Sequence, residues 1–401
     1  MANTPREDRT PWPVFLIFLR LGLTSFGGPI AHLGYFRDEF VTRRRWLSEH
    51  SYADLVSLCQ FLPGPASSQV GMALGLSRAG YRGALAAWAG FTLPSALALI
   101  LFALGLADYG QALPPGILQG LKVVAVAIVA QAVWGMARTL CPDAPRISLM
   151  ALATGVVLLV PCAWTALGVI TGAGLVGLTL FKPADVIGHA PLPINVSRRA
   201  GACWLGLFVI LLIGLPVLAQ WLANPTLDMI EAFYRSGSLV FGGGHVMLPL
   251  LQAEVVPSGW VSNPTFLAGY GATQAMPGPL FTFAAFLGAS MQGPQAGVLG
   301  GLLCLVAIFA PSWLLVMGSL PFWAPLRRNR RMQAAMLGIN AAVVGLLLAA
   351  LYQPVWTSTI GRPADFALAL LALVALTAWK VPPWWVVVGC GVAGWLLSAV
   401  P

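Results

Sequence analysis

The sequence has few charged residues for its length. Asp, Glu, Lys and Arg make up 9% of its 401 residues, whereas soluble domains carry about 25%. Apolar residues account for 58%, so the composition argues against an ordinary soluble protein. It predicts a polytopic all-α membrane protein, in which each spanning helix needs about 20 apolar residues.

The sequence also lacks the motifs of a metal or cofactor enzyme. Its six cysteines show no C-x-x-C spacing, so neither a zinc site nor a disulfide framework is expected. H-E-x-x-H, G-x-S-x-G and P-loop patterns are missing as well. We therefore expect no enzyme activity, no cofactor and no metal. The net charge of +9 fits membrane orientation rather than nucleic-acid binding, because the basic residues lie mostly in short gaps between apolar runs.

The sequence contains a repeat of half the chain. The pattern R-x-G-x-x-x-F-G-G, called the FGG motif below, covers residues 20–28 and recurs 215 positions later at 235–243. The pattern Q-x-x-P-G-P, called the PGP motif below, covers residues 60–65 and recurs 214 positions later at 274–279. Each copy interrupts an apolar stretch, so we expect broken or re-entrant helices there. Such a duplication is typical of transporters built from inverted-topology repeats.

The basic residues predict how the repeats are oriented. The arginines of the first repeat lie on one side of the membrane only if the chain folds back at the stretches around Gly27 and Gly64. That side is then the cytoplasmic side. From residue 200 to 326 the only Lys or Arg is Arg235, as expected if the second repeat opens outward. The N-terminus is then cytoplasmic and the C-terminus periplasmic. The predicted units are an N-terminal repeat (1–182), a linker with one inverting helix (183–222) and a C-terminal repeat (223–401).

The four motif copies are the candidate anion site. A helix that begins inside the membrane presents unpaired N–H groups and about half a positive elementary charge at its N-terminus. Such a terminus suits an anion, and the alternative is a set of packing kinks and tight turns. The candidate binding glycines are Gly27, Gly28, Gly64, Gly242, Gly243 and Gly278.

Two arginines in apolar segments are candidate ligands of the anion. Arg20 and Arg235 begin the two FGG motifs, and a buried guanidinium costs at least about 2.5 kcal/mol unless something compensates. The planar guanidinium matches two oxygens of a tetrahedral anion. The alternative is structural ion pairs, with Asp38, Glu39 or Asp54 for Arg20 and with Asp228 or Glu231 for Arg235.

Three further side chains are candidate donors. Lys122 stands alone in a long apolar run and either binds the anion or extends toward the membrane interface. Gln60 and Gln274 precede the two PGP turns. Either they donate to the anion or they satisfy the interrupted backbone.

Acidic and histidine residues are candidates for proton coupling. Carboxylates inside membranes often form proton relays, which makes Glu39, Asp54 and Glu254 candidates. Glu39 and Glu254 lie near segment ends, so helix caps or loop charges explain them equally well. Histidine titrates near neutral pH, and His245 is better placed than His32, although either fits a bystander role.

With both motifs placed, the sequence resembles the chromate ion transporter family, in its long-chain form with two homologous halves. The resemblance covers nearly the whole chain and depends on the paired FGG and PGP motifs. It implies efflux of chromate from the cytoplasm across a bacterial inner membrane, driven by the proton motive force. In the second copy Gly244 replaces Pro29 and Asn340 replaces Lys122. We therefore give the first half more weight as the anion-binding half.

Other functions remain open at this stage. Sulfate has the shape and charge of chromate, so a sulfate or related oxyanion transporter is the alternative within the same class. An oxyanion reductase or sensor in the membrane is the alternative from another class, and the missing cofactor motifs argue against it. The expected partners are chromate or sulfate and the lipid bilayer, and a homodimer is left open.

Overall fold

The chain is almost entirely helical. The computed structural model describes residues 10–109, 114–160, 165–182, 196–292, 296–326 and 329–398, and none of them lies in a β-strand. Among these residues, five helices are long and apolar enough to cross a membrane. The prediction of a polytopic all-α membrane protein is confirmed.

The first repeat and the linker contain eight α-helices among the described residues. Their bounds are α1 Pro11–Thr24, α2 Gly28–Arg37, α3 Glu49–Phe61, α4 Ala66–Tyr109, α5 Pro115–Leu140, α6 Ala144–Leu159, α7 Thr165–Leu180 and the linking helix α8 Arg198–Leu222. A π-helical turn, Asp38–Arg43, extends α2. Helix α2 follows the first FGG motif directly, and α4 follows the first PGP motif.

The second repeat contains nine α-helices within the described ranges. They are α9 Pro225–Leu239, α10 Met247–Val255, α11 Asn263–Thr273, α12 Phe283–Ser290, α13 Val298–Ser319, α14 Trp323–Leu326, α15 Arg330–Ala350, α16 Pro363–Thr377 and α17 Pro383–Ser398. Short 3₁₀ turns at Gly244–Val246, Leu280–Thr282 and Leu320–Phe322 precede α10, α12 and α14, and a π-helical segment at Leu351–Trp356 follows α15.

The two repeats start the helix before the PGP motif in the same way. Ser48 accepts a hydrogen bond from the backbone N–H of Ser51 at the start of α3. Ser262, 214 positions later, accepts one from the backbone N–H of Thr265 at the start of α11. A serine at this position satisfies one of the N–H groups that a helix start leaves unpaired. The correspondence of the repeats therefore extends from the motifs to their flanking helices.

The long helix α4 contains a bend, and at the equivalent point the second repeat has two separate helices. Gly80, inside α4, has φ 62° and ψ −156°. Gly297, between α12 and α13, has φ 80° and ψ −149°. The part of α4 before Gly80 thus corresponds to α12, and the part after it to α13.

The two sequence halves are interleaved in space. Helix α5 of the first half packs against α16 and α17, whereas α15 of the second half packs against α6 and α7. Both contacts are close: a Cβ on Gly120 would lie 2.0 Å from the carbonyl oxygen of Cys390, and one on Gly338 would lie 2.1 Å from that of Ala173. Each long helix therefore completes its bundle with helices from the other half.

The linking helix α8 lies at the edge of the molecule. It packs on α9 and α13 along one side. Its remaining faces expose large apolar side chains, including Ile210, Ile213 and Trp221. A 25-residue helix is about 37 Å long at 1.5 Å per residue, enough to cross a bilayer.

Candidate functional site

The motif glycines have the same unusual backbone conformation in both repeats. All six have positive φ, which residues with a Cβ rarely adopt. The equivalent pairs are Gly27 (100°) with Gly242 (76°), Gly28 (77°) with Gly243 (142°), and Gly64 (120°) with Gly278 (93°). At each motif one helix ends and another helical segment begins after it. The glycines selected from the sequence are therefore required by the backbone itself.

Each PGP turn is bonded to the FGG segment of the other half. The backbone N–H of Gly278 donates to the carbonyl oxygen of Ser25 at 2.9 Å, and that of Gly64 donates to the carbonyl oxygen of Val240 at 2.7 Å. Ser25 and Val240 are equivalent positions directly before Phe-Gly-Gly. These two hydrogen bonds are therefore related by the repeat, and they join the four motif copies into two pairs, each with one FGG motif and the PGP motif of the other half.

The residues that directly follow the two FGG motifs also contact each other. A Cβ built on Gly244 would lie 3.7 Å from Cγ of Pro29. Positions 29 and 244 are equivalent, so the contact lies where the axis relating the repeats passes through the molecule. Helix α2 begins at this point without a side-chain cap on its N-terminal N–H groups. Its positive end is thus directed at the centre of the molecule.

Arg20 lines a cavity in the first repeat. The cavity has a volume of about 270 Å³, and Arg20 forms no ion pair with any described residue. Glu39 also faces the cavity, but its carboxylate accepts hydrogen bonds from Arg43 and Arg44, both at 2.7 Å. The side chains that line the cavity are Ile17, Arg20, Leu21, Thr24, Tyr35, Asp38, Glu39, Arg43 and Arg44.

Arg235 occupies the equivalent position in the second repeat, but its charge is neutralised. Its guanidinium donates to Glu231 at 2.5 Å and to both carboxylate oxygens of Glu254 at 2.8 and 2.9 Å. The adjoining cavity has a volume of only about 20 Å³. One of the two carboxylates proposed from the sequence as a structural partner, Glu231, is in place, and Glu254 is the other partner found.

Sequence differences between the repeats explain this asymmetry. Glu231 lies one helical turn before Arg235, and the equivalent residue before Arg20 is Leu16. Ser258 and Gly259 stand where the first repeat has the two arginines that hold Glu39. Arg235 is therefore held by two carboxylates in the second repeat, whereas Arg20 forms no ion pair with Asp38 or Glu39, the carboxylates that line its cavity.

Lys122 and the two glutamines lie in different environments. Lys122 is half-buried in α5 and interacts electrostatically with Asp365 at the start of α16. Gln274 follows α11, and its Nε2 is buried without a hydrogen-bond partner among the described residues. Gln60, at the end of α3, is exposed. Helix α11 packs on α5 where Gly271 meets the carbonyl oxygen of Leu121, which brings Lys122 near the second PGP motif.

The candidates for proton coupling are all bonded to other side chains. Glu39 and Glu254 belong to the ion pairs described above. Asp54 is buried and accepts a hydrogen bond from Nε1 of Trp323 at 3.1 Å. His245 is bonded through Nδ1 to the hydroxyl of Tyr270 at 2.8 Å.

The structure adds polar residues that the sequence analysis did not select. His32 is 1% exposed and lies in the first turns of α2, close to Ser67 at the start of α4. The repeat distinguishes His32 further, because Met247 occupies the equivalent position. A position that is polar in one half and apolar in the other indicates that the two halves differ in chemistry.

Comparison with known proteins agrees with this architecture. The profile of the chromate transporter family matches residues 12–178 and 227–395, one region for each repeat. A chromate transport protein from Pseudomonas aeruginosa is 28% identical, over 96% of this chain and 92% of its own length. A probable chromate transport protein from Synechococcus elongatus is 26% identical, over 91% of this chain and 88% of its own.

Further relatives cover most of the chain as well. A chromate transport protein from Cupriavidus metallidurans is 25% identical over 90% of this chain and 86% of its own length. No solved structure matches the chain at a significant level. The paired motifs, the helical membrane architecture and the match over both repeats lead to one conclusion: the chain belongs to the chromate transporter family and is a multi-pass membrane transporter rather than an enzyme.

Proposed function

We propose that this protein carries chromate, a divalent tetrahedral oxyanion, out of the cytoplasm across a bacterial inner membrane. Transport is secondary active and is driven by the proton motive force. The observation that carries the proposal is the cavity of about 270 Å³ at Arg20, which offers an unpaired guanidinium beside the central motifs. A guanidinium donates two parallel hydrogen bonds to an oxyanion, so the cavity suits the substrate class of the family.

The distribution of basic residues supports the proposed orientation. Arg43 and Arg44 line the Arg20 cavity, so this cavity opens to the cytoplasm by the positive-inside rule. Helix α8 crosses the membrane once and inverts the second repeat. The N-terminus is then cytoplasmic and the C-terminus periplasmic. The proposed units are residues 1–182, 183–222 and 223–401, with helices that re-enter the membrane at the FGG and PGP motifs.

The unequal cavities support transport by alternating access. In an inverted repeat, equivalent positions face opposite sides of the membrane, and the two halves exchange their conformations during transport. The first repeat has the larger cavity and an arginine without an ion pair, whereas the second has a much smaller cavity and an arginine held by two carboxylates. This conformation is therefore the one open to the cytoplasm, and Glu231 with Glu254 closes the periplasmic side through Arg235.

Flux measurements in proteoliposomes test the proposed function. We expect purified protein to move labelled chromate, and we expect an imposed proton gradient to accelerate this movement. Labelled sulfate is measured in parallel, because it shares the charge and the tetrahedral shape of chromate. Faster flux of sulfate than of chromate would identify a sulfate transporter instead. Reduction of chromate without any net flux would contradict a transport function.

Thiol labelling tests the inverted orientation. Thr42 and Ser258 are exposed and lie near equivalent ends of the two repeats. We expect a membrane-impermeant maleimide to label T42C only from the cytoplasmic side and S258C only from the periplasmic side. Labelling of both cysteines from the same side would contradict the inverted repeat.

The native cysteines set the background for this labelling. Cys203 is exposed and Cys162 lies outside the described residues, so both are changed to serine. The remaining cysteines are buried. Burial raises the pKa of the Cys141 thiol to about 11, which leaves little of the reactive thiolate at neutral pH.

A further inference from the structure

Four polar side chains of the first repeat are buried without hydrogen-bond partners. The exposed fractions of Ser25, His32, Ser68 and Thr92 are 1%, 1%, 2% and 0%. Ser25 Oγ, His32 Nε2, Ser68 Oγ and Thr92 Oγ1 each have no partner in the described part of the chain. A buried donor without an acceptor costs about 1–3 kcal/mol, and most such groups in folded proteins are satisfied. A cluster of them indicates that something is bound there in the working protein.

The cluster surrounds the junction between the first FGG motif and the second PGP motif. The Nδ1 atom of His32 lies 3.4 Å from the hydroxyl of Ser67, and the His32 ring contacts Phe91 edge-on with a centroid distance of 5.3 Å. The ring also lies beside the carbonyl oxygen of Ser25, but Nε2 has no well-aligned hydrogen-bond partner in the described part of the chain. That carbonyl oxygen accepts the N–H of Gly278. The starts of α2 and α4 thus bring the cluster together at the centre of the molecule.

The second repeat has apolar side chains at the equivalent positions. Val240, Met247, Phe281 and Phe309 stand where the first repeat has Ser25, His32, Ser67 and Thr92. The remaining equivalent, Thr282, has its hydroxyl bonded to the carbonyl oxygen of Pro279 at 2.7 Å. The four unpartnered groups of the cluster thus have no unpartnered counterpart at the equivalent positions of the second repeat, and packing of the fold does not require them.

We propose that this cluster binds the divalent oxyanion after it has lost its water, with His32 and Ser68 as direct hydrogen-bond donors. The inference rests on the proposed function and assigns its central binding residues. An oxyanion accepts hydrogen bonds and donates none, so hydroxyl and imidazole N–H groups match its oxygens. When the hydroxyl of Ser67 donates to Nδ1 of His32, the ring proton resides on Nε2, which then faces the anion.

Neutral donors have a physical advantage at a site that must release its substrate. A buried guanidinium holds a divalent anion strongly through its charge, whereas hydroxyl and imidazole donors bind without a net opposite charge. The Arg20 cavity supplies the attraction from the cytoplasm. Thr24 lines that cavity, and Ser25 of the cluster is the next residue. The anion therefore moves from a charged cavity to a neutral central site.

The test compares anion binding by variants of the two repeats. The variant H32M introduces the residue that the second repeat already accommodates at this position, and S68A removes one unpartnered hydroxyl. Sodium chromate and sodium sulfate are titrated into the purified full-length protein by calorimetry. A hydrogen bond to a charged group corresponds to roughly a 10- to 100-fold change in affinity. We expect each variant to weaken binding by that factor.

Two controls separate binding from folding. The variant T282V removes the equivalent hydroxyl of the second repeat, which is bonded within the protein, and we expect its anion affinity to equal that of the wild type. Without anion, S68A should unfold at a temperature no lower than the wild type, because it deletes a buried hydroxyl that has no partner.

Three results would overturn either the central site or the proposed function. Wild-type affinity in both H32M and S68A would refute the proposed central site. It would not contradict the proposal that the protein transports an oxyanion. A wild-type protein that binds and transports neither anion would instead refute the proposed function. Equal weakening by S68A and T282V would also refute the inference, because the effect would then be one of packing in either half.

Discussion

Replacing Arg20 with alanine is expected to lower chromate flux in proteoliposomes by roughly 10- to 100-fold, because a hydrogen bond to a charged group contributes about 1.5–3 kcal/mol. Arg20 is the unpaired guanidinium of the cavity that opens to the cytoplasm, and no described carboxylate neutralises it. Cells that express the variant should lose chromate resistance while the protein still inserts into the membrane.

Two matched variants sharpen this experiment. The variant R20K keeps the charge but loses the planar fork, so we expect its flux to lie between those of R20A and the wild type. Arg82 is an exposed arginine outside the cavity, and R82A should transport at the wild-type rate. Unchanged chromate tolerance in cells that carry R20A would contradict a role of Arg20 in transport.

The variant L16E is expected to block transport as strongly as R20A, although it leaves Arg20 in place. Leu16 lies one helical turn before Arg20, as Glu231 lies before Arg235. Glu231 bonds to Arg235 across this spacing, and residues four apart on a helix are neighbours. A glutamate at position 16 should therefore neutralise Arg20 in the same way. Chromate flux in proteoliposomes measures the effect.

Leu16 is 45% exposed, so the substitution is not expected to disturb the core. The control is L16Q, which has the same size and polarity without the charge and should retain most of the flux. Equal flux in L16E and L16Q would contradict the view that an unpaired Arg20 is required. If L16E fails to reach the membrane while L16Q does, purified L16E in detergent should still show reduced chromate binding by calorimetry.

The predictions for R20A and L16E depend on a difference between Arg20 and Arg235 that the repeat motif does not show. The motif R-x-G-x-x-x-F-G-G is the same around Arg20 and Arg235, so the motif alone predicts the same role for both arginines. The structure distinguishes them through residues outside the motif, because Glu231 and Glu254 reach Arg235. The equivalent Glu39 is held by two neighbouring arginines instead.

The histidines show the same limit of sequence analysis. His245 directly follows the glycines of the second FGG motif, and this position made it the better candidate. In the structure its Nδ1 is bonded to Tyr270, a residue 25 positions away. His32, the weaker candidate by its position in the sequence, is buried beside the central junction, and its Nε2 has no well-aligned partner among the described residues. Hydrogen-bond partners that are distant in the sequence therefore decide which histidine is available to bind an anion.

The sequence by itself determined the all-α membrane class, the duplication and the six glycines that take positive φ. These properties follow from composition and from local backbone constraints, which are encoded residue by residue. Only the tertiary structure decided that α5 joins α16 and α17 while α15 joins α6 and α7. It also decided that Arg20 is free and Arg235 is neutralised, because ion pairing depends on which side chains the folded helices bring within hydrogen-bond distance.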